Sequence, residues 1–285
     1  MALVLVSLLG AACSSDDDPP PAAGPVSTTV AAPPSSTAPP VTAPTTMTPV
    51  AAAARVAADL VAAETAIHNP ATPAADMDRL GQTQQSAVRE LLFHPELEAD
   101  ALALLPADIR ARTEAHLAAA KDLTALAGPV DPDRPLPHWR IVSPEPAAVL
   151  LDHYKQAEAT VGVPWEYLAA IHLVETRMGR IRGDSSAGAR GPMQFIPSTW
   201  EMYGEGGDIE STADSIAAAA RHLRANGALT DMAGALFAYN NSNRYVQAVT
   251  VYAQQMETDE RAYLAYHGWQ VYYGERLLPE GTVLP

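Results

Sequence analysis

From about residue 51 onward, this chain of 285 residues is rich in alanine, and its larger apolar side chains recur at helical spacing. Val56, Leu60 and Ile67 form the first such series, and comparable series follow towards residue 128. Breaks at "NPATPA" and "HPE" and at Pro106 divide them. Apolar residues three and four positions apart form one face of a helix, and proline marks its limits. We therefore predict three or four helices over residues 51–128, with no catalytic constellation, and a mainly α protein.

The N-terminal fifty residues differ in composition from the rest. Residues 14–50 consist largely of Pro, Ser, Thr and Ala, and such a segment cannot bury enough apolar surface to offset the entropy of ordering. We predict a disordered tether. Residues 1–13, "MALVLVSLLGAAC", are apolar and end in small residues followed by Cys13. This order is typical of a lipoprotein signal peptide, with acylation at Cys13; an ordinary export signal with an incidental cysteine is the alternative.

Charge, cysteine count and hydropathy exclude several classes of protein. The net charge is −15, from 18 Lys and Arg against 33 Asp and Glu, whereas nucleic-acid-binding domains carry basic patches. The single cysteine excludes an internal disulfide framework, and no apolar run reaches the length of about 18 residues that a membrane span needs. His68, His94 and His116 lack the spacing of metal ligands, so we interpret them as surface or packing residues.

The segment "PWEYLAAIHLVETRMG" predicts a helix, because proline suits a first helical turn and glycine suits the end. Leu168, Ile171, Glu175 and Met178 fall on one stripe of that helix, so the carboxyl group points into the core or into a cleft. Burial raises the pKa of a carboxyl group and makes it a competent general acid. A glutamate paired with a neighbouring arginine fits the helix equally well, and the candidate partners are Arg177, Arg180 and Arg182.

The loop "SSAGARGPMQ" follows this helix and combines flexible backbone with hydrogen-bonding side chains. Gly188 and Gly191 permit close approach of the backbone to a ligand. Ser185 offers a hydroxyl that can orient a carboxylate, and Gln194 offers both a donor and an acceptor. A loop of this kind suits the wall of a sugar-binding cleft.

Two further helices follow the loop. "STADSIAAAARHLRANG" begins with Ser211 and Asp214 at the spacing of a capping box and ends at an Asn-Gly pair. "DMAGALFAYNNS" ends at its asparagine pair and carries Tyr239 on its apolar stripe. Tyr239 is therefore either a core aromatic residue or a phenol delivered into the cleft.

Three motifs occur in a fixed order: "ET" at 175–176, "SSAGARGPMQFIPSTW", and "FAYNNS". Together they resemble the Glu-Ser/Thr, Gly-Leu-Met-Gln and Ala-Tyr-Asn elements of lytic transglycosylases, the lysozyme-like enzymes that cut bacterial peptidoglycan. Pro192 stands in place of the leucine. "VETRMG" and "QFIPSTW" are most similar to the membrane-bound B-type branch. The calcium-type loop of that branch is not matched by "YGEGGDIESTAD", so we expect no metal and no cofactor.

The resemblance implies cleavage of the β-1,4 bond between N-acetylmuramic acid and N-acetylglucosamine by a single acid, Glu175. The product would be a 1,6-anhydro ring, because the muramoyl C6 hydroxyl replaces the second carboxylate that ordinary glycosidases need. Asp184 and Asp208 are the nearby acids that remain open as a second carboxylate. The residues that the resemblance assigns to substrate binding are Ser185, Met193, Gln194, Tyr239 and Asn240.

Composition, helical periodicity and the resemblance together predict a domain organisation and a location. We expect a signal peptide at 1–13, a linker at 14–50, a helical accessory segment at 51–128, a lysozyme-like catalytic domain at 144–256 and a C-terminal tail at 257–285. The expected partners are peptidoglycan strands and, through the lipid anchor, the outer face of the cell membrane, with action in the cell wall or periplasm and no nucleic acid.

Four arginines surround the acid in this sequence, and they are either ligands for substrate carboxylates or solvated charges: Arg177, Arg180, Arg182 and Arg190. Two other functions remain as alternatives. One is a lysozyme-type hydrolase on the same scaffold, which would leave free reducing ends. The other is a catalytically silent wall-binding lipoprotein.

Overall fold

The computed structural model describes residues 47–129 and 138–284. These residues form eleven α-helices: α1 Pro49–Ile67, α2 Met77–Phe93, α3 Glu98–Ala103, α4 Ala107–Ala127, α5 Ala147–Val161, α6 Trp165–Thr176, α7 Pro197–Tyr203, α8 Thr212–Ala225, α9 Met232–Tyr239, α10 Asn243–Thr258 and α11 Arg261–His267. Four short strands accompany them: β1 Arg140–Ile141, β2 Ile181–Arg182, β3 Val271–Tyr273 and β4 Arg276–Leu278. The prediction of a mainly α protein is confirmed. The predicted signal segment and the tether up to residue 46 lie outside the described residues.

The first four helices occupy the segment in which the sequence predicts three or four. α1 begins at Pro49, slightly before the predicted limit, because Thr48 accepts a hydrogen bond from the backbone N–H of Ala51 at 3.3 Å and proline suits the first helical position. The breaks contain two 3₁₀ helices, Ala74–Asp76 and Pro95–Leu97. The apolar faces of α1 to α4 meet in one buried cluster that includes Val56 and Leu60.

The same four helices pack directly against the C-terminal part of the protein. α4 lies along α10, and α2 lies along α11. α2 and α11 approach so closely that a Cβ atom at Gly81 would lie 1.9 Å from the carbonyl oxygen of Ala265. Ala119 and Leu123 of α4 belong to the hydrophobic core that surrounds α6. The accessory helices therefore share a core with the residues around Glu175.

A buried polar network lies where the accessory helices meet α10 and α11. Glu64 of α1 is fully buried and accepts hydrogen bonds from Gln84 at 2.7 Å and from Arg112 at 2.8 Å. His68 lies 3.4 Å from Glu64 and 2.6 Å from Asp259. Burial alone would raise the pKa of Glu64, but hydrogen bonds from His68, Gln84 and Arg112 outweigh it and lower the pKa to about 2.

α6 is the central helix of the fold. Leu168, Ile171, Glu175 and Met178 point inward as expected, but burial is not limited to this stripe. Every residue from Leu168 to Thr176 is buried, as in a helix that is surrounded on all sides. α5, α8, α10 and α11 pack around it. Nδ1 of His172 lies 2.7 Å from the hydroxyl of Tyr154 on α5, which fixes one side of the helix.

The residues beyond 256, expected to form a tail, complete α10 and form α11 and a β3–β4 hairpin. β1 pairs antiparallel with β2, with Arg140 opposite Arg182. The backbone N–H of Leu284 donates to the carbonyl of Trp139 at 2.8 Å, so the end of the chain is tied to β1. None of the helices in the two described ranges is long and apolar enough to cross a membrane.

Candidate active site

α6 carries Glu175 one residue before its end and places the side chain in the interior, with 1 % of its surface exposed. The hydroxyl of Tyr245 on α10 donates a hydrogen bond to Glu175 Oε1 at 2.9 Å. Glu175 Oε2 is buried and has no hydrogen-bond partner among residues 47–129 and 138–284. One carboxyl oxygen is therefore held by the protein, and the other is available to a ligand.

The environment of Glu175 favours its neutral form. Burial raises the pKa of the carboxyl group to about 8, and the hydrogen bond from Tyr245 offsets this only in part. The alternative of an arginine partner fails, because Glu175 forms no ion pair within the described part of the chain. At neutral pH, Glu175 therefore holds a proton that it can donate.

Tyr245 is the functional residue that the sequence interpretation missed. It lies at the start of α10, beyond the Ala-Tyr-Asn motif, and its ring stacks on that of Tyr239 with 6.4 Å between centroids and 4° between planes. Burial and the nearby Glu175 raise its pKa well above the usual value, so Tyr245 remains a hydrogen-bond donor. The only signal in the sequence is a second tyrosine shortly after the motif.

Tyr239 is a core residue that supports the loop opposite the acid. Its ring is fully buried, and its hydroxyl donates to the carbonyl oxygen of Met193 at 2.8 Å. This contact decides between the two roles that the sequence left open, because the phenol binds backbone rather than Glu175. The Met193 side chain is itself fully buried.

Gln194 fixes the turn of the loop. Its side-chain amide donates to the carbonyl oxygens of Gly191 at 2.9 Å and Gly183 at 3.5 Å. Its backbone has φ 52°, an uncommon value for a residue with a side chain. Its Oε1 atom is buried and has no partner within the described ranges. Like Glu175, Gln194 thus presents an unused polar atom that a ligand can satisfy.

The hydrogen bonds that the Ser185 side chain accepts come from backbone N–H groups of its own loop. Ser185 Oγ accepts hydrogen bonds from the N–H groups of Ala187 at 3.3 Å and Ala189 at 2.9 Å. Ser185 therefore closes the loop through its acceptor capacity, and its expected role in orienting a carboxylate stays a prediction. Gly191 has φ 72°, and a Cβ there would lie 1.9 Å from the carbonyl oxygen of Ile209.

Thr176 explains why a hydroxyl residue follows the acid. Its Oγ1 donates to the carbonyl oxygen of Pro192 at 2.7 Å and accepts from the N–H of Gly179 at 3.0 Å. The end of α6 is thereby joined to the loop that carries Gln194. The following turn is unusual, since Arg177 and Met178 have φ values of 55° and 56°, and such backbone is kept only where its surroundings enforce it.

Asn240 caps the end of α9 and is 7 % exposed. Its backbone N–H donates to Leu236 at 2.9 Å, and its side chain forms no hydrogen bond with the described residues. Ser211 caps α8 as predicted, accepting from the N–H of Asp214 at 3.4 Å. The second half of the predicted capping box is wrong, because the carboxylate of Asp214 instead accepts from the N–H of Asp208 at 3.0 Å.

The two open candidates for a second carboxylate lie at the surface. Asp184 is exposed and lies 3.9 Å from Arg190. Asp208 is also exposed, and its Oδ1 accepts from the N–H of Glu210 at 2.9 Å. Among the described residues, neither of these aspartates forms a hydrogen bond with Glu175 or contributes to the shift of its pKa. No cluster of three or more His, Cys, Asp or Glu side chains suited to a metal occurs within the described ranges.

The four arginines near the acid in sequence do not gather around it. Arg177 lies with its guanidinium 5.8 Å from the ring centroid of Trp269, and Arg180 donates to the carbonyl of His267 at 3.0 Å. Arg190 pairs with Glu210 at 3.4 Å. These contacts point three of the four side chains to neighbours other than Glu175.

Comparison with known protein families matches residues 152–262 to the family described as Transglycosylase SLT domain. The match begins within α5 and ends within α11, so it includes α6, the loop, α9 and α10. Neither the curated proteins nor the solved structures contain a match to the chain. The matched segment and the helical fold indicate the same fold class. The match of residues 152–262 to the Transglycosylase SLT domain supports the resemblance to the lytic transglycosylases, and with the helical fold it bears out the predicted lysozyme-like fold class.

Proposed function

We propose that this protein is a peptidoglycan lytic transglycosylase that cleaves the β-1,4 bond between N-acetylmuramic acid and N-acetylglucosamine and leaves a 1,6-anhydro product. The SLT domain supports action on peptidoglycan glycosidic bonds in general. The observation that carries the finer proposal is the buried Glu175 with its raised pKa, one oxygen held by Tyr245, and no hydrogen bond or charge interaction with a second carboxylate among the described residues.

In the first step, neutral Glu175 donates its proton to the glycosidic oxygen, and the bond from that oxygen to muramoyl C1 breaks. Glu175 is then a carboxylate, which the hydroxyl of Tyr245 stabilises through its hydrogen bond at 2.9 Å. In the second step the carboxylate removes the proton of the muramoyl C6 hydroxyl. The C6 oxygen bonds to C1 and closes the anhydro ring, and Glu175 regains the protonated state in which it began.

The loop and α9 form the supporting wall for this chemistry. Gln194 offers its buried Oε1 to an amide or hydroxyl group of the substrate, while Met193 is held by Tyr239 beneath the loop. Asn240 lies at the end of α9 with an unused side-chain amide. These positions support substrate binding by Gln194 and Asn240, with Ser185, Met193 and Tyr239 acting through the loop.

The product distinguishes the proposal from the hydrolase alternative. Purified peptidoglycan is digested with the wild-type protein, and the muropeptides are analysed by mass spectrometry. We expect products that end in 1,6-anhydro-N-acetylmuramic acid, which is lighter by one water than the reducing form. Products with free reducing ends, labelled when digestion is done in ¹⁸O-water, would replace the transglycosylase by a lysozyme-type hydrolase.

We further propose that the protein is exported and anchored by a lipid at Cys13 to the outer face of the cell membrane, where it acts in the cell wall or periplasm, as in the membrane-bound B-type branch. The apolar run before Cys13 supports this. Cells expressing wild type or Cys13→Ala are fractionated into membrane and soluble extracts. We expect wild type in the membrane fraction and the variant in the soluble fraction. Equal partition of the two into the soluble fraction would contradict a lipid anchor.

A further inference from the structure

A cavity lies on the side of α6 that faces the accessory helices. It has a volume of about 320 Å³ and is enclosed by α2, α4, α6, α10 and the β3–β4 hairpin. Two arginines, Arg89 and Arg177, line it together with apolar and aromatic side chains that include Val88, Leu92, Leu123, Val174, Tyr252 and Trp269. We call it the two-arginine groove. None of these side chains forms a hydrogen bond with Glu175, whose partner is Tyr245.

Both arginines are held over aromatic rings. The guanidinium carbon of Arg89 lies 3.7 Å from the ring centroid of Tyr272 and 5.1 Å from that of Phe93, and its Nη2 donates to the carbonyl oxygen of Gly274 at 2.5 Å. The guanidinium carbon of Arg177 lies 5.8 Å from the ring centroid of Trp269. The aromatic contacts place both guanidinium groups against ring faces.

Neither charge is neutralised by the described part of the chain. Within residues 47–129 and 138–284, Arg89 and Arg177 form no ion pair with a carboxylate, and the Arg177 side chain forms no hydrogen bond. Burial, together with the nearby positive charge of Arg177, lowers the pKa of Arg89 to about 10, against an opposing contribution from Tyr272 and Glu275. Burial likewise lowers the pKa of Arg177.

Two half-buried positive charges in one apolar cavity are costly, because each loses hydration and the two repel each other. An anion placed between them would replace the lost hydration and remove the repulsion. Guanidinium groups bind carboxylates in a planar, often bidentate arrangement. The rest of the cavity wall is apolar and aromatic, so the anion must carry an apolar body. A cavity of this size suits a ligand of a few amino acid side chains at most.

We propose that the two-arginine groove binds the C-terminal carboxylate of a peptide whose last residue is apolar or aromatic. Arg89 and Arg177 bind the carboxylate, and the aromatic wall formed by Tyr252 and Trp269 receives the side chain. The flat rings of this wall favour a planar side chain over a long flexible acyl chain. The proposal does not depend on peptidoglycan cleavage, since no side chain of the groove forms a hydrogen bond with Glu175.

Binding is measured by isothermal titration calorimetry on the whole protein, with N-acetyl-phenylalanine as the probe and its amide, N-acetyl-phenylalaninamide, as the matched neutral control. We expect the acid to bind at least about tenfold more tightly than the amide, since a hydrogen bond to a charged group is worth about that factor or more. Arg177→Gln should weaken binding of the acid by about tenfold and leave binding of the amide unchanged. Arg79→Gln, at an exposed arginine on the same helix as Arg89, should have no effect.

Arg89 also donates a hydrogen bond to Gly274 in the β3–β4 hairpin. Arg89→Gln can therefore destabilise the hairpin and lower the affinity without the loss of a carboxylate contact. Arg89→Lys keeps the positive charge and should lose only part of the affinity, and the Arg177 side chain has no hydrogen bond within the described residues to lose. Equal binding of acid and amide, or an unchanged affinity in Arg177→Gln, would overturn the proposal. Tighter binding of octanoate than of N-acetyl-phenylalanine would overturn the peptide assignment. Binding that appears only after Asp131→Asn and Asp133→Asn would also overturn it, because carboxylates of the chain itself would then be the occupants.

Discussion

At the scale of single residues, the proposed reaction depends on one proton, that of the Glu175 carboxyl group. Glu175 lies in an apolar interior that raises its pKa to about 8, and the only hydrogen bond that it receives, within the described ranges, comes from Tyr245. The two effects oppose each other. Burial keeps the acid loaded at neutral pH, and the tyrosine stabilises the carboxylate once the proton has left. The neutral donor and the anionic base are therefore two protonation states of Glu175. Burial stabilises the first, and the hydrogen bond from Tyr245 stabilises the second.

This balance predicts the pH dependence of the reaction. Activity should be lost as the pH rises through about 8, because Glu175 then loses the proton that the first step needs. Tyr245→Phe removes the hydrogen bond that lowers this pKa, so the alkaline limit should move to higher pH. The same change should lower kcat about tenfold, since a hydrogen bond to the carboxylate is lost.

The measurement is a profile of kcat against pH for both proteins on soluble glycan. Tyr167→Phe is the matched control on α6, because that hydroxyl has no hydrogen bond within the described ranges. An alkaline limit that stays in place in Tyr245→Phe would show that Glu175 does not govern it.

At the scale of elements, the end of α6 and the following loop are joined by backbone contacts that depend on Gly191. Its φ of 72° favours glycine, and a Cβ would lie 1.9 Å from the carbonyl oxygen of Ile209. Gly188 is a matched position in the same loop, since its φ is 77° but a Cβ there would meet nothing within 4 Å. Substitutions at the two glycines therefore separate the cost of left-handed backbone from the cost of a clash with Ile209.

We expect Gly188→Ala to cost about 1 kcal/mol in the free energy of unfolding, the usual penalty for a side chain in left-handed backbone. Gly191→Ala should cost clearly more, because Ile209 must shift, and it should also lower kcat/KM by displacing the carbonyl that holds Gln194. Denaturant unfolding and steady-state rates measure both effects. Equal losses of stability in the two variants would mean that the close contact with Ile209 does not restrain the loop.

At the scale of the whole molecule, a buried polar network ties the accessory helices to the C-terminal helices. Glu64 on α1 is linked through His68 to Asp259, and Nε2 of His116 on α4 lies 2.6 Å from the hydroxyl of Tyr266 on α11. Since Ala119 and Leu123 of α4 also belong to the core around α6 and α2 packs along α11, the accessory helices should unfold together with the catalytic helices rather than before them.

Glu64 provides a test of this coupling. Its pKa of about 2 lies below the usual value near 4.5, so it contributes stability that is present above about pH 4.5 and is lost as the pH falls towards 2. Glu64→Gln should therefore lower the free energy of unfolding at pH 7 by roughly 3 to 5 kcal/mol and flatten the dependence of stability on pH in this range. Glu114→Gln, at an exposed glutamate paired with Arg110, should change stability by less than about 1 kcal/mol. Two separate unfolding transitions in wild type would contradict the shared core.

The sequence predicts the parts of this protein that depend on local patterns. The helices of 51–128, the cap at Ser211 and the inward position of Glu175 follow from helical periodicity and short-range spacing. Tyr245 could not be identified in this way, because its role depends on α10 packing against α6, far from it in sequence. The positions of Arg177 and Arg180 were also beyond local rules, since the left-handed turn after Thr176 redirects both side chains.

The central claim is that Glu175 alone supplies both proton transfers, and its direct test compares three conservative substitutions on isolated peptidoglycan. Glu175→Gln keeps the shape of the side chain but cannot release or recover a proton, so we expect kcat to fall by about 10² to 10⁴ with normal folding and little change in KM. Asp184→Asn and Asp208→Asn, at the exposed acids of the neighbouring loops, should retain most of the activity. A Glu175→Gln protein with near wild-type kcat, or the loss of activity in either aspartate variant, would contradict the single-acid account.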